Sequence, residues 1–265
     1  MRSINLSLLR RATMSKVFST TRKLFVAFTF PLLATAQAAD APSAEELLKD
    51  ADRARGAVDV GMTWNSNVET VDGKNTSKIV YLIKAKGDQA VAETMEPDTS
   101  KGEYMVFKER NLWFVKPGMK RPVVISARQK LTGPASNADI VSTNYFRDYD
   151  GSIVGEEKVG GVDCWKMELK AKAKNVSYNG IRYWVAKANH LGLKAEFLSI
   201  KGEPFKLAEF KYENKISSSG KERPFMSKIL IKDAQRADSS STIVVSTPKI
   251  IDVPDGSLDV KNFIK

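Results

Sequence analysis

The chain has 265 residues, with 42 Lys and Arg against 31 Asp and Glu, a formal charge of +11 at pH 7, one Cys and one His. A single Cys excludes an internal disulfide, and a single His without a Cys pair leaves a zinc centre without its usual ligands. Six of the bases (Arg2, Arg10, Arg11, Lys16, Arg22, Lys23) and no acid lie in the first 38 residues; without them 36 bases face 31 acids, a mild +5 with no basic stripe, which argues against nucleic acid as a partner.

Residues 1–38 read as a cleavable export signal. A basic region precedes the apolar run Leu24 to Ala34, and Ala36-Gln37-Ala38 supplies a small-x-small cleavage site. The run is about half of the roughly 20 residues that a spanning helix needs, so a retained anchor is the poorer reading. Met14 is an alternative start, since the signal from there has ordinary proportions. The expected mature domain is 39–265, a periplasmic monomer.

Mature structure opens on a capping box, Ser43-Ala44-Glu45-Glu46. Leu47, Leu48, Ala51 and Ala54 then recur at helical spacing, predicting a short helix through Arg55 that stops at Gly56. From Gly61 the period becomes two: Met62 to Asn65, a turn at Asp72-Gly73, a strand with Ile79, Tyr81 and Ile83 on one face, then Ala90 to Met95, Tyr104 to Lys108 and Asn111 to Val115. Glu109-Arg110-Asn111 makes a tight connection. Between Lys116 and Asp150 alternation fails. Pro117-Gly118, Pro122 and Gly133-Pro134 punctuate the stretch, and Ser126 to Leu131 and Ser136 to Tyr149 read as short helices carrying Ile140 and Phe146, a lid over one sheet face with its hinge near Gly118, Gly133 and Pro134. Strands resume at Gly151 to Val159, Val162 to Lys172 after Gly160-Gly161, Ile181 to Ala186, Leu193 to Ile200, Phe205 to Tyr212, Phe225 to Lys232 and Thr242 to Ser246, with Ser217 to Gly220 as a flexible loop.

Long consecutive strands, each with one apolar face, must cover that face, since water exposure costs about 25 cal/mol per Å². The expected fold is therefore mainly β with α, a half-open antiparallel β-barrel of about 11 strands with a helical lid or plug on its concave face. Trp64, Tyr81, Phe107, Phe114, Trp165, Met167, Tyr183 and Phe197 are the candidate concave-face positions, with Ile140 and Phe146 facing them from the lid. Plain core packing is the competing account of each.

Catalytic signals are weak. His190 lies in the turn Ala188 to Gly192, and a dyad with Cys164 has no local support. Glu156 and Glu157 are adjacent in a strand and so point to opposite faces, away from one shared site. No phosphate loop, nucleophile elbow or dinucleotide fingerprint occurs, and neither metal nor organic cofactor is expected.

Specific stretches do carry a resemblance: Lys116 to Pro122, Ser136-Asn137-Ala138-Asp139, Asp148-Tyr149-Asp150, Gly155-Glu156-Glu157, Gly160 to Leu169, Tyr183-Trp184-Val185 and Leu193 to Phe197. In order and spacing the mature chain resembles the outer-membrane lipoprotein-sorting protein family, relatives of the periplasmic carrier LolA. The resemblance implies a half-barrel whose apolar concavity is capped by helices and binds lipid or lipoprotein acyl chains. It also implies transient membrane contact and an inner-membrane transporter of the resistance-nodulation-division type as partner. Such a shape suits lipid carriage, because an acyl chain of about 15 methylenes costs roughly 12 kcal/mol to bring into water. Hiding it takes about 500 Å² of apolar surface, the scale of a barrel interior. Two other classes stay open: an accessory transporter subunit whose concavity is filled by its own helices, and an envelope hydrolase.

Overall fold

The computed structural model describes residues 42–141, 144–218 and 220–264; the export signal read over 1–38 lies outside them. Helix α1 (Ala44–Arg53) starts at its capping residue, where Ser43 Oγ accepts the Glu46 N–H at 3.1 Å, and Glu45 and Glu46 occupy the first turn, which favours negative charge. It ends two residues short of the expected Arg55, because Gly56 adopts φ +106° and turns Arg55 inward. Leu47, Leu48, Ala51 and Asp52 form its buried face. A Cβ on Gly151 would lie 2.9 Å from Leu48 Cδ1, so a glycine there lets the helix lie close on the sheet.

Seventeen strands follow among the described residues. The first eight are β1 (Met62–Asp72), β2 (Asn75–Lys86), β3 (Gln89–Glu96), β4 (Tyr104–Lys108), β5 (Asn111–Val115), β6 (Val123–Ile125), β7 (Lys130–Thr132) and β8 (Ala135–Ser136). Helices α2 (Asn137–Val141) and α3 (Tyr145–Asp148) come next. Then run β9 (Tyr149–Val159), β10 (Val162–Ala171), β11 (Gly180–Ala186), β12 (Gly192–Leu198), β13 (Pro204–Lys211), β14 (Asn214–Ser218), β15 (Lys221–Phe225), β16 (Lys228–Asp233) and β17 (Ser239–Ile250). Thirteen of these form one antiparallel sheet in the order β6-β5-β4-β3-β2-β1-β17-β16-β13-β12-β11-β10-β9. β17 pairs with β1 and joins the two halves; β6 and β9 end the sheet without meeting, so the barrel stays open.

Turn chemistry sets the meander. Glu109 and Arg110 (φ +51° and +66°) and Gly160 and Gly161 (φ +56° and +84°) each make a two-residue connection with both residues left-handed, the geometry that matches strand twist. The concave face and the helices share the main buried cluster. Outside the sheet, Val253 and Leu258 of the C-terminal segment pack on Val91 and Val106, and Cys164, Trp184 and Ala186 form a third cluster.

The central insert differs most from expectation. Ser126 to Leu131 is not a helix. Val123-Val124-Ile125 forms edge strand β6, β7 and β8 make a hairpin about Gly133-Pro134, and the backbone between them bonds across rather than along the chain: Ala138 N–H donates to Ala127 O and Asn137 N–H to Gln129 O. Ser136 to Tyr149 is two short helices, not one. Asn144 caps the second, its Oδ1 accepting Arg147 N–H at 2.8 Å, which is the competition that an Asn side chain offers to a continuous helix. Farther on, Phe225 to Lys232 divides at Met226 and Ser227, whose N–H groups donate to Ala54 O and Lys211 O. Of the Ser217 to Gly220 stretch, Ser219 lies outside the described residues, and Ser217, Ser218 and Gly220 lie at the end of the β14–β15 hairpin, whose polar strands gave no alternation to read. The main sheet holds 13 strands where about 11 are expected, β6 being a strand without a sequence signal, and β14 and β15 form a separate two-stranded sheet.

Candidate functional site

The concave face brings most of the expected residues together. Trp64, Tyr81, Phe107, Met167, Tyr183 and Phe197 from the sheet and Ile140 from α2 lie in one buried cluster, while Phe146 and Trp165 are half-buried and pack against it. Phe114 stands opposite Met105 in the β4–β5 register, half-buried and outside that cluster. Aromatic rings that the alternation did not single out complete the lining: Tyr145 packs edge-on against Tyr149 and Tyr183 at 5.6 and 5.4 Å, and Tyr178 lies 4.1 Å from Phe197. Tyr178 sits in a loop without periodicity, so no pattern in the chain announces it.

The helices fill this concavity. Beneath α2 the space left between Arg55, Asp139, Tyr145, Tyr178 and Phe197 is about 20 Å³, too small for an acyl chain. Larger openings lie at the two ends of the half-barrel. One, of about 420 Å³, is walled by Ala54, Ala57, Val58, Leu191, Ile216 and Pro224 with Asp50, Arg53, Asp59 and Arg223 among its charged groups. The other, of about 270 Å³, opens by Arg128, Lys130, Leu198, Phe205 and Lys206.

Polar clasps hold the covering helices to the sheet. On α2, Asp139 Oδ2 accepts from Lys206 Nζ of β13 at 2.6 Å and from Ser136 N at 2.7 Å, while its Oδ1 accepts from Tyr178 Oη at 2.8 Å. Lys206 is 3 % exposed; burial pushes its ammonium pKa down and the Asp139 carboxylate opposes the shift. On α3, Asp148 receives Arg110 Nε at 2.7 Å and Arg147 Nη2 at 2.6 Å. Asp52 of α1 accepts the Phe146 N–H at 2.7 Å and so ties α1 to α3. Its other oxygen is buried without a hydrogen bond, and desolvation lifts its pKa to about 7 against the pull of Arg55 and of the Phe146 and Tyr145 backbone. Arg55 stacks 3.9 Å from the Tyr145 ring centre. Asp50 completes the set through His190 Nδ1 at 2.7 Å, joining α1 to the β11–β12 turn.

Groups that could suggest chemistry lie apart. His190 is engaged by Asp50, whereas Cys164 lies in the separate outer cluster with Trp184, and burial pushes its thiol pKa up. Glu156 pairs with Lys187 and Glu157 with Lys166. Lys187 lies over Trp165 on the concave side and Lys166 over Trp184 on the convex side, so the two acids serve opposite faces. Among the described residues no group of three His, Cys, Asp or Glu is placed to hold a metal, and no helix is long and apolar enough to cross a membrane. A maleimide should label Cys164 in the folded protein at least about 100-fold more slowly than in concentrated urea. Equal rates, followed by mass spectrometry, would contradict the burial.

An open antiparallel half-barrel with helices across its concave face is the fold of the LolA superfamily. A protein-family model described as an uncharacterized, "-like" family matches residues 86–262, and the chain belongs to that family. A LolA superfamily protein from Nitrosomonas europaea superposes with a TM-score of 0.74 at 28% identity, over 84% of this chain and 100% of that one. A domain described as an outer membrane lipoprotein-sorting protein, from Vibrio parahaemolyticus, gives 0.70 at 17% identity over 84% and 98% of the two chains. A DUF1329 family protein from Desulfovibrio piger gives 0.68 at 18% identity over 83% and 97%. No curated protein matches the sequence.

Proposed function

We propose that this protein is exported, loses residues 1–38, and works in the periplasm as a non-catalytic carrier or chaperone. In this reading 39–265 binds lipid or lipidated protein in the half-barrel for transfer toward the outer membrane. One observation carries it: the apolar face of a 13-stranded sheet is covered by three short helices fastened through a few polar clasps. Such a cover is separable in a way that a second packed sheet is not, because each clasp is local while the apolar face beneath is continuous. The filled concavity is then the closed, unloaded state. An acyl chain takes the place of Leu47, Leu48 and Ile140 when the helices lift, at a burial of about 0.8 kcal/mol per methylene. The expected hinge divides into two unlike parts: Gly118 has open space around it, whereas the Gly133-Pro134 turn sits on Thr70 and Ser241 and serves as an anchor.

The filled interior supports a second reading, an accessory subunit of an inner-membrane transporter of the resistance-nodulation-division type that takes no cargo itself. Purification from the periplasm under non-denaturing conditions, lipid extraction and mass spectrometry separates the two. A carrier yields lipid or acylated protein in near-stoichiometric amount. Lipid-free protein that copurifies with an inner-membrane transporter favours the accessory role.

A further inference from the structure

Strands β10 to β13 alternate in direction, so the β12–β13 hairpin, the loop from Ala171 to Gly180 and the 270 Å³ pocket all lie at one end of the half-barrel, with the β9–β10 hairpin at the other. At the tip of the β12–β13 hairpin Ile200 is 91% exposed, the most exposed large apolar side chain among the described residues, and Phe205 beside the pocket is 40% exposed. Around them stand exposed cations. Arg128 spends its guanidinium on the carbonyls of Val176 and Lys174, which sets the 126–130 segment against the loop, and the ammonium groups of Lys130, Lys174 and Lys201 make no ion pair among the described residues. Lys206 at the pocket floor is matched by Asp139. The acids at this end are mostly engaged: Asp233 caps the Gln235 and Arg236 N–H groups, Asp72 and Asp238 lie on Arg236, Asp150 lies 3.8 Å from Lys172, and Glu203 is exposed.

We infer that this end is a docking surface for an anionic phospholipid bilayer: Ile200 and Phe205 seat in the interfacial layer while Lys130, Lys174 and Lys201 meet phosphate groups. An isolated apolar side chain at a hairpin tip is ordinary on a protein surface; one at an end that also carries exposed lysines without ion pairs has the composition that an anionic lipid surface complements. The pocket behind it, walled by Leu198, Phe205 and Pro134, opens at the same end. The inference deepens the carrier reading, since it supplies the end at which cargo would pass between bilayer and barrel, and it rests on that reading only for this consequence.

The test is flotation of the mature chain with vesicles of phosphatidylcholine, alone or with about a third phosphatidylglycerol. Binding should be at least about 10-fold tighter to the anionic vesicles and weaken as salt is raised. Each cation near a charged surface is worth about 5-fold, so Lys130→Glu with Lys174→Glu should lose at least about 25-fold, and Ile200→Asp at least about 10-fold. Val162→Asp, 41% exposed and at the opposite end, should bind like the unmodified protein. As an independent readout, Ile200→Trp should shift its emission to the blue on adding anionic vesicles and not neutral ones. Equal binding to both compositions, an unaffected Ile200→Asp, or an equal loss in Val162→Asp overturns the proposal. Lipid-free protein from the periplasm that still binds anionic vesicles removes the carrier reading and leaves the docking surface standing; lipid-loaded protein that ignores the vesicles does the reverse.

Discussion

Asp139→Ala should lower the stability of the folded chain by about 3–5 kcal/mol, a large share of the 5–15 kcal/mol that holds a typical domain together. The carboxylate is 8% exposed and satisfies Lys206, Ser136 and Tyr178 together, so its removal strands an ammonium group that is 3% exposed. Adding Lys206→Met should recover part of the loss, because an uncompensated buried charge costs more than the absence of the pair. Urea unfolding followed by tryptophan fluorescence measures both. A single-variant loss under about 1 kcal/mol would mean that α2 is not fastened to β13 through this pair. The same variant addresses the carrier reading, since a loosened α2 should raise hydrogen exchange in 137–141 ahead of the sheet strands.

Asp52 sets the second expectation, which concerns pH. Its carboxyl titrates near 3.8 when exposed and is raised to about 7 in the fold, chiefly by desolvation. With the folded pKa above the unfolded one, the contribution is fully present below about pH 4 and is lost as pH rises through 7. At about 1.4 kcal/mol per unit, the effect across that window is several kcal/mol. Asp52→Asn keeps an acceptor for the Phe146 N–H and has no charge to desolvate. The stability difference between the variant and the unmodified protein should therefore grow in the variant's favour from pH 4 to pH 7.5. A difference that stays constant over this window would show that Asp52 is hydrated in the native state. If the helices form a lid, the ionised Asp52 also makes the cover easier to lift at neutral pH than in acid.

The legible part of this fold is its repeating part. Alternation in β4, β5 and β9 to β13 located strands to within a residue or two, because one face of each is buried and the period of two leaves a direct trace. Glu109-Arg110 and Gly160-Gly161 marked their turns through the left-handed backbone they require. Ser43 marked the start of α1 through the N–H group it satisfies. The 126–131 segment left no such trace, since its hydrogen-bond partners lie at 137 and 138 and its conformation is chosen by them. Lys206 was equally silent: on β13 it occupies the inward register of Ala208 and Phe210, a place where periodicity anticipates an apolar residue. Asp139, Ser136 and Tyr178, all far away in sequence, make that burial tolerable.

The chain by itself determined that a long antiparallel sheet with one apolar face would form, with a helix at its start and an irregular insert at its centre. These features follow from local periodicity and turn stereochemistry, which depend on neighbours a few residues apart. Tertiary structure alone decided that β6 and β9 stand at the open edges and that the covering helices leave only about 20 Å³ beneath α2. It also decided that Asp52, Asp139 and Asp148 become the fastenings. Each of those fastenings places a buried carboxylate beside a partner tens of residues distant, and no period in the sequence records such a pairing.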